Sequence, residues 1–375
     1  MKLVLSEKEL EIKRVVIKLG TKQITDTETV NDVHLRDLLS QVVELRNKGV
    51  ECILVVSGAI GMARYHMHLG KQEFTLSQKQ ALAGVGQPLL MELLGRYLRE
   101  YGIWGGQVLL THDILDHRKN YLNARNTLNT MLEMGIFPII NENDSVASEE
   151  IQFGDNDRLG AYVSVMVDAD LYIMLTDIDG LYADYGTPKQ TLIRVVENIN
   201  SVMRYAQKQQ ESFTRGGMIT KLQAARITTV AGIPAVIANG FRENILREVL
   251  NNLSTGTIFL PLSRGMTYRK KWISSKRVRG KLVVDSGAEK AILSHKSLLA
   301  AGIVRVEGSF HEGDTVLIVA EDGREIGLGI VNYDSEEIAL IRGHKSDEIV
   351  GLLGKNKNNT VIHCDNMVIF EVEKV

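Results

Sequence analysis

Short apolar segments alternate with longer amphipathic ones from Arg14 to about Leu262, and this alternation limits the possible folds more than any other feature of the chain. Strands separated by helices are typical of βαβ units, in which helices cover both faces of a mainly parallel sheet. We therefore predict an α/β fold, a three-layer αβα sandwich with a mainly parallel sheet. The predicted strands are Val15–Lys18, Cys52–Val56, Gly106–Leu110, Phe137–Ile140, Leu171–Leu175, Ala235–Ala238 and Thr257–Phe259. The predicted helices are Val33–Lys48, Leu76–Tyr101, Ala124–Glu133, Arg158–Val167 and Thr220–Ala231.

The pattern changes near Arg264. The segment from Arg264 to Lys281 holds eight basic residues and no acidic one, and we interpret residues 264–279 as a basic linker. It would join a large domain, residues 1–263, to a small, mostly β domain, residues 280–375. The strands predicted for the small domain are residues 280–285, Ile303–Val306, Asp314–Val319, Glu325–Ile330 and Glu337–Ile341.

Composition and charge exclude several classes of protein. The 375 residues carry a formal net charge of −2, which argues against bulk nucleic acid or an anionic membrane as partner. With two cysteines, Cys52 and Cys364, a disulfide framework is not expected and a reducing compartment fits. The N-terminus becomes charged after five residues and no apolar run approaches the length of a membrane span, so we expect a cytoplasmic protein.

The segment from Ile140 to Asp157 is the richest in polar chemistry. Asn141, Glu142, Asp144 and Asn156 lie in two turns that follow the apolar run Ile136–Ile140. Polar groups at the carboxyl end of a parallel strand lie where open α/β sheets bind ligands. Such carboxylates and amides suit the ammonium and α-carboxylate of an amino acid, or the ordering of a metal-bound phosphate. A polar surface turn is the alternative for the segment taken alone.

Four further segments place groups that could bind phosphate or other parts of a nucleotide at strand ends. Lys18 ends a strand beside Gly20, and V-V-S-G-A-I-G, from Val55 to Gly61, turns from a strand into a helix. Thr176 and Asp177 follow another strand, and Gly216 and Gly217 precede a helix that carries Lys221. Taken alone, each segment is a weak signal, and a solvated strand end or an ordinary glycine-rich turn is the alternative. Together, lysines, glycine-rich loops and carboxylates at one sheet edge favour phosphoryl transfer.

The order of these motifs resembles that of the amino acid kinase superfamily: K-L-G-T, S-G-A-I, N-E-N-D, G-D-N-D, L-T-D-x-x-G-L-Y and G-G-M-x-T-K-L-Q-A-A. Within it, the chain is most similar to the glutamate 5-kinase family, also through Q-A-L-A-G-V-G-Q-P-L-L-M at residues 80–91 and Y-L-N-A-R-N-T-L at residues 121–128. The segment that starts at Gly280 resembles the beginning of a PUA domain. The resemblance covers nearly the whole chain. It implies the amino acid kinase fold for residues 1–263 and a PUA-like domain for residues 280–375.

The resemblance also implies an activity: ATP-dependent phosphorylation of the side-chain carboxylate of L-glutamate to L-glutamyl 5-phosphate, the first step of proline biosynthesis. Lys18 and Lys221 would stabilise the γ-phosphoryl group, and Asp157 would hold both lysines. The residues implied to bind glutamate are Ser57, Asp144 and Asn156, with Asn141 nearby. The residues implied to contact the nucleotide are Lys18, Thr176, Asp177, Arg215, Gly216, Gly217, Met218, Ile219, Thr220 and Lys221. Mg²⁺ would arrive with ATP and be held by phosphate oxygens and water; no protein metal ligands are expected.

Two positions depart from the family pattern. Arg215 stands where a small residue is expected before the glycine pair, and Lys22 stands where serine more usually follows K-L-G-T. Either would alter contacts with the nucleotide, but neither removes a catalytic group.

The family further suggests a homo-oligomer (a dimer or tetramer), feedback inhibition by proline, and a glutamyl phosphate reductase as a partner that receives the labile product. Acetylglutamate, aspartate, carbamate and uridylate kinases share the ATP-binding half and remain alternatives. An amino acid sensor without activity is disfavoured because Lys18, Asp157 and Lys221 are all present. An RNA-binding protein acting through the PUA-like domain is a further alternative. Residues 282–375 hold 9 basic and 16 acidic residues, a net charge of 9 − 16 = −7, so we expect RNA not to be a partner.

Overall fold

The structure is a computed structural model. It describes residues 2–5, 8–26, 28–70, 72–111, 117–146, 156–207, 217–252, 255–261, 270, 272–273, 276, 278–345, 348–353 and 360–370. The chain divides into two compact units, residues 1–261 and 262–375.

The first unit is built on a sheet that has eight strands in the described ranges, in the order β10-β12-β11-β7-β3-β4-β6-β5. Neighbouring strands from β11 to β5 are parallel, whereas β12 is antiparallel to β11. The predicted α/β fold with a mainly parallel sheet is confirmed. The strands of this unit are β1 (Lys2–Leu5), β2 (Lys8–Glu11), β3 (Arg14–Leu19), β4 (Glu51–Val56), β5 (Gly105–Leu110), β6 (Phe137–Glu142), β7 (Leu171–Thr176), β8 (Leu181–Ala183), β9 (Thr191–Ile193), β10 (Val195–Val196), β11 (Ala235–Asn239) and β12 (Thr257–Phe259).

Helices surround the sheet, and the five predicted helices are present with boundaries that differ mostly by one or two residues. The helices of the first unit are α1 (Thr21–Ile24), α2 (Asp32–Asn47), α3 (Ala59–His66), α4 (Leu76–Glu100), α5 (Arg118–Glu133), α6 (Asn156–Met166), α7 (Ile199–Gln207), α8 (Met218–Val230) and α9 (Ile245–Asn252). Thr75 and Gln78 form a capping box that sets the start of α4. No helix in the described part of the chain is long and apolar enough to cross a lipid bilayer.

Strand order creates a crevice beside β3. The chain leaves β3 toward β4 on one side, and it leaves β7 toward β10, β11 and β12 on the other. The carboxyl ends of β3 and β7 therefore flank a topological switch point, where sheets of this type bind their ligands.

The alternation of side chains along β3 determines on which face of the sheet Lys18 lies. Val15, Ile17 and Leu19 belong to the core formed with α2 and α4. Because successive side chains of a strand point to opposite faces, Lys18 lies on the other face, against α6. Ten of the eleven side chains of α6 are buried, so this helix is enclosed by the sheet and α8.

The second unit holds a five-stranded sheet, by the residues described, in the order β14-β13-β15-β16-β17. This agrees with the predicted small, mostly β domain with a PUA-like sequence. Its first strand begins at Val278, so it takes in the last two residues of the segment interpreted as a linker. The elements are β13 (Val278–Val284), α10 (Ser286–Leu293), β14 (Ile303–Glu307), β15 (Thr315–Ala320), β16 (Glu325–Ile330), α11 (Ser335–Ile341), α12 (Ile349–Leu353) and β17 (Met367–Ile369).

One predicted strand of this unit is wrong. Glu337–Ile341 is part of helix α11. Asp334 and Glu337 form a capping box at the start of the helix, and Ile338 and Ile341, three residues apart, are buried on one helical face. The cap and the three-residue spacing outweigh the short apolar run that suggested a strand.

Candidate active site

Two lysines and one aspartate meet in the crevice. Asp157, in the first turn of α6, accepts the Lys18 ammonium on Oδ1 at 2.6 Å and the Lys221 ammonium on Oδ2 at 2.9 Å. The exposed fractions of these residues are 5% for Lys18, 0% for Asp157 and 6% for Lys221. These three residues were predicted from the sequence to be catalytic, and the fold brings them into direct contact from β3, α6 and α8.

The neighbours of Asp157 hold it in place. The Tyr172 hydroxyl donates to the Asp157 backbone carbonyl at 2.8 Å, and Thr220 Oγ1 lies 3.5 Å from Oδ2. Removing three charged groups from water costs free energy, which close pairing of the charges must offset. The buried network is therefore weak evidence that these residues serve only to stabilise the fold. Ammonium groups in a water-poor crevice act strongly on an incoming phosphoryl group.

Asn156, the residue before Asp157, belongs to a different network. Its Nδ2 donates to the Val56 carbonyl at 2.6 Å, to Ser57 Oγ at 2.9 Å and to Asn141 Oδ1 at 2.8 Å. Asn141 also receives the Glu142 backbone N–H at 2.9 Å and donates from Nδ2 to Gln87 Oε1 at 2.7 Å. The predicted residues Ser57, Asn141 and Asn156 thus form one hydrogen-bonded cluster beside the two lysines.

The turn that carries Ser57 depends on Gly58. Gly58 is the N-cap of α3 with a φ of 105°, in the left-handed region that favours glycine. An added Cβ there would lie 3.7 Å from Ile24. Any larger residue would therefore be disfavoured by backbone strain at this φ and not by lack of space. Gly58 turns the chain directly from β4 into α3.

Asp144 lies after β6, close to the end of this described segment. Its carboxylate is largely removed from water, and burial raises the pKa of Asp144 to about 6. A buried carboxylate with a raised pKa becomes fully ionised when a cation approaches, as an amino acid's ammonium would. Residues 147–155 of the predicted polar segment lie outside the described residues.

The nucleotide-binding residues proposed from sequence lie on β7 and α8. Thr176 Oγ1 donates to Asp177 Oδ1 at 3.2 Å at the end of β7. Gly217 caps α8, which begins at Met218 rather than near Thr220, so Met218, Ile219 and Thr220 form its first turn before Lys221. The predicted residues Arg215 and Gly216 lie outside the described residues.

Two polar contacts at this edge were not assigned from sequence. The Lys22 ammonium lies 2.6 Å from Asp177 Oδ2 and lowers the pKa of that carboxyl against the effect of burial, with help from the Thr176 hydroxyl. Gln87, buried on α4, ties Asn141 to Gln107 of β5, to which its Nε2 donates at 3.3 Å. Lys22 was visible only as a departure from the family pattern, and Gln87 only as a letter in the motif at residues 80–91.

Comparison with known proteins identifies the family. The amino acid kinase family model matches residues 13–239, and the PUA domain model matches residues 280–353. The glutamate 5-kinase of Caldanaerobacter subterraneus subsp. tengcongensis is 44% identical over 366 residues, 96% of this chain and 98% of that protein. The glutamate 5-kinase of Herpetosiphon aurantiacus is also 44% identical, over 95% of this chain and 98% of its own.

A solved structure, the UMP kinase of Bacillus anthracis, covers 67% of this chain and 97% of its own at 16% identity, with a TM-score of 0.48. The family is shown by the family models and the sequence relatives. Their identity extends over nearly the full length of both chains, and the chain belongs to the glutamate 5-kinase family of amino acid kinases, with a C-terminal PUA domain.

Proposed function

We propose that this protein transfers the γ-phosphoryl group of ATP to the side-chain carboxylate of L-glutamate and releases L-glutamyl 5-phosphate and ADP. The observation that carries the proposal is the contact of Lys18 and Lys221 with opposite oxygens of Asp157, directly beside the amide cluster of Asn156. Full-length relatives bear the name glutamate 5-kinase. The reaction would be the first step of proline biosynthesis.

The lysines supply the electrostatic part of the reaction. A carboxylate oxygen of glutamate bonds to the γ-phosphorus while the bond from that phosphorus to the bridging oxygen breaks, and ADP leaves with the electron pair. The glutamate carboxylate is already ionised at neutral pH, so the step needs no general base. Lys18 and Lys221 stabilise negative charge on the γ-phosphoryl oxygens, and Asp157 fixes both ammonium groups before the reaction begins.

The amide cluster supplies the binding of glutamate. Because Ser57 Oγ accepts from Asn156, its hydroxyl proton is directed elsewhere and is available to a carboxylate oxygen of the substrate. Asn156 Oδ1 and the Asp144 carboxylate are acceptors suited to the α-ammonium. Asn141 orients Asn156 from behind.

Thr176, Asp177 and the start of α8, together with Arg215 and Gly216, bind the nucleotide in this proposal. Both oxygens of Asp157 are in contact with lysine ammonium groups, so Mg²⁺ would be held by phosphate oxygens and water rather than by this carboxylate. Bound in that way, Mg²⁺ would neutralise charge on the phosphates.

From the family, we further propose that the protein is a homo-oligomer (a dimer or tetramer). Proline would inhibit it by competing with glutamate. The labile acyl phosphate would be delivered to a glutamyl phosphate reductase. RNA binding by the second unit is the rival activity, but residues 282–375 carry a net charge of −7 (9 basic and 16 acidic residues), which is unfavourable for phosphate-backbone binding.

The test is ATP turnover with Mg²⁺ and a panel of acceptors: glutamate, N-acetylglutamate, aspartate, carbamate and UMP. Hydroxylamine traps an acyl phosphate as a hydroxamate. Hydroxamate formed with glutamate alone is the expected result. Product formed with another acceptor would assign the chain a different substrate of the superfamily. No turnover with any acceptor would reject the proposed activity.

A further inference from the structure

We propose that Gln87 is a positioning residue for glutamate: it orients the amide of Asn141, which orients Asn156, without touching the substrate. The inference rests on the function proposed above. It also gives a role to the motif at residues 80–91, which lies on α4 and contributes none of the site residues predicted from sequence.

The direction of every hydrogen bond in the cluster follows from two backbone groups. The Glu142 N–H can only donate, so the Asn141 atom that faces it is Oδ1. The Val56 carbonyl can only accept, so the Asn156 atom that faces it is Nδ2. With O and N of both amides assigned in this way, Asn141 Nδ2 donates to Gln87 Oε1, so Gln87 supplies the acceptor for this buried amide nitrogen.

This polarity determines what the site offers a ligand. Nδ2 of Asn156 is engaged with the three acceptors Val56, Ser57 and Asn141. Asn156 Oδ1 receives no hydrogen bond from the described residues and is left as an acceptor for an ammonium. If the Asn141 amide turned over, its Nδ2 would face Nδ2 of Asn156 and the cluster would lose its shared orientation.

Helix packing brings Gln87 to this position. A Cβ added to Gly86 would lie 1.7 Å from the Ala59 carbonyl oxygen, so glycine lets α4 lie directly against the first turn of α3. Ala59 follows the turn of Ser57 and Gly58. The close approach therefore places Gln87, 8% exposed, behind the substrate-binding turn, at 2.7 Å from Asn141.

The test compares Gln87→Met with Gln87→Glu. Methionine fills nearly the same space but cannot accept from Asn141, whereas glutamate keeps an acceptor oxygen. If Gln87 orients Asn141, Gln87→Met raises KM for glutamate about tenfold with KM for ATP unchanged, and Gln87→Glu has the smaller effect. If Gln87 merely fills space, the order is reversed, and that result overturns the inference.

Gln41→Met is the matched control. Gln41 is equally a buried glutamine of this unit, 1% exposed, but it accepts the Leu246 backbone N–H at 3.0 Å, away from the amide cluster. We expect a lower melting temperature and no change in KM for glutamate. A Gln87→Met protein that loses stability and raises both KM values alike would show a structural role and overturn the inference.

A second readout uses glutarate, which lacks the α-ammonium. Gln87→Met should lower kcat/KM for glutamate about tenfold and leave that for glutarate nearly unchanged, because the misplaced group is the acceptor for the ammonium. An equal loss for both substrates contradicts the inference. Unaltered protein without glutamate-dependent hydroxamate would instead reject the proposed function, so the two failures are distinguishable.

Discussion

Asn156 and Asp157 are neighbours in the chain, yet they lie in two different chemical environments. Asp157 is in contact with two ammonium groups, from Lys18 and Lys221. Asn156 is surrounded by a carbonyl, a hydroxyl and an amide oxygen, none of them charged. The start of α6 therefore divides the crevice into a charged half and a neutral half that are one residue apart.

In the proposed reaction, the two halves recognise different groups. Negative charge on a phosphoryl group is stabilised by fixed cations, whose effect in a crevice is strong and not very directional. A small amino acid is selected by the number and direction of its hydrogen bonds, because a wrong ligand leaves buried polar groups of the site unpaired. We therefore expect changes in the charged half to act on kcat and changes in the neutral half to act on KM for glutamate.

The largest effect is expected for Lys221→Met, which removes one cation and keeps the aliphatic stem. We predict a fall in kcat of about 10²- to 10³-fold with little change in KM for glutamate, measured by steady-state kinetics. Lys13→Met is the control, because Lys13 is a mainly exposed lysine whose ammonium pairs with Glu11 at the surface. A rise in KM for glutamate as large as the loss in kcat would contradict the division into halves.

The neutral half is tested by Asn156→Ala. This change removes an acceptor for the α-ammonium and releases Ser57 and Asn141 from their shared donor. Hydrogen bonds to charged groups contribute about 1.5–3 kcal/mol, so KM for glutamate should rise about ten- to a hundredfold. KM for ATP should stay near its original value.

Asn129→Ala is a suitable control for Asn156→Ala, since Asn129 is a half-buried asparagine on α5 that binds Arg14. It should leave both KM values unchanged. If Asn156→Ala instead lowered kcat alone, the neutral half would take part in the chemical step.

Most of the sheet could be predicted because parallel strands are buried on both faces and appear as uninterrupted apolar runs, as in Phe137–Ile140 and Leu171–Leu175. Strand direction was not visible: nothing in Thr257–Phe259 distinguishes an antiparallel strand. Helix α3 was predicted to follow V-V-S-G-A-I-G but without bounds, because its sequence, A-I-G-M-A-R-Y-H, is short and rich in small residues.

The charged half could be predicted more fully than the neutral half. Lys18 and Lys221 could be predicted because each belongs to a recognisable motif at the end of a strand or near the start of a helix. Asp157 belongs to a third motif, G-D-N-D. Gln87 and Asn141 are 54 residues apart, and their contact depends on how closely α4 approaches α3. The sequence does not show whether a glutamine is buried or exposed, so only the structure identifies Gln87 as buried.

Asp144 gives the binding of glutamate a dependence on pH. Burial raises its pKa to about 6, and the ionised form is the one that binds an ammonium. We predict that kcat/KM for glutamate falls as the pH drops below about 6, approaching tenfold per pH unit. Asp144→Asn should have a lower kcat/KM at pH 8 and lose this inflection. An unchanged inflection in Asp144→Asn would assign it to another group.

The same residue should affect stability in the opposite direction. The folded pKa of Asp144 lies above its ordinary value of 3.8, so the folded state favours the protonated form. Its contribution to stability is present at low pH and is lost as the pH rises through about 6. We therefore expect Asp144→Asn to raise the melting temperature at pH 8 while it weakens glutamate binding.

The smallest effect is expected at the nucleotide edge, for Lys22→Ser. Lys22 is mainly exposed, and its ion pair with Asp177 should contribute less than about 1 kcal/mol to stability. Loss of the lysine leaves the Asp177 carboxylate without that cation at the proposed nucleotide site. We predict a rise of about threefold in KM for ATP, with kcat and KM for glutamate unchanged.

Salt decides whether the effect of Lys22 is electrostatic. An exposed charge is screened beyond about 8 Å at physiological ionic strength, so the difference in KM for ATP between Lys22→Ser and the unaltered protein should shrink as salt is raised. A difference that persists at high salt would mean that Lys22 acts through the geometry of α1 and Asp177. No difference at any salt would place Lys22 and Asp177 outside the nucleotide site, and nucleotide binding would then depend on the other proposed residues, among them Thr176 and the first turn of α8.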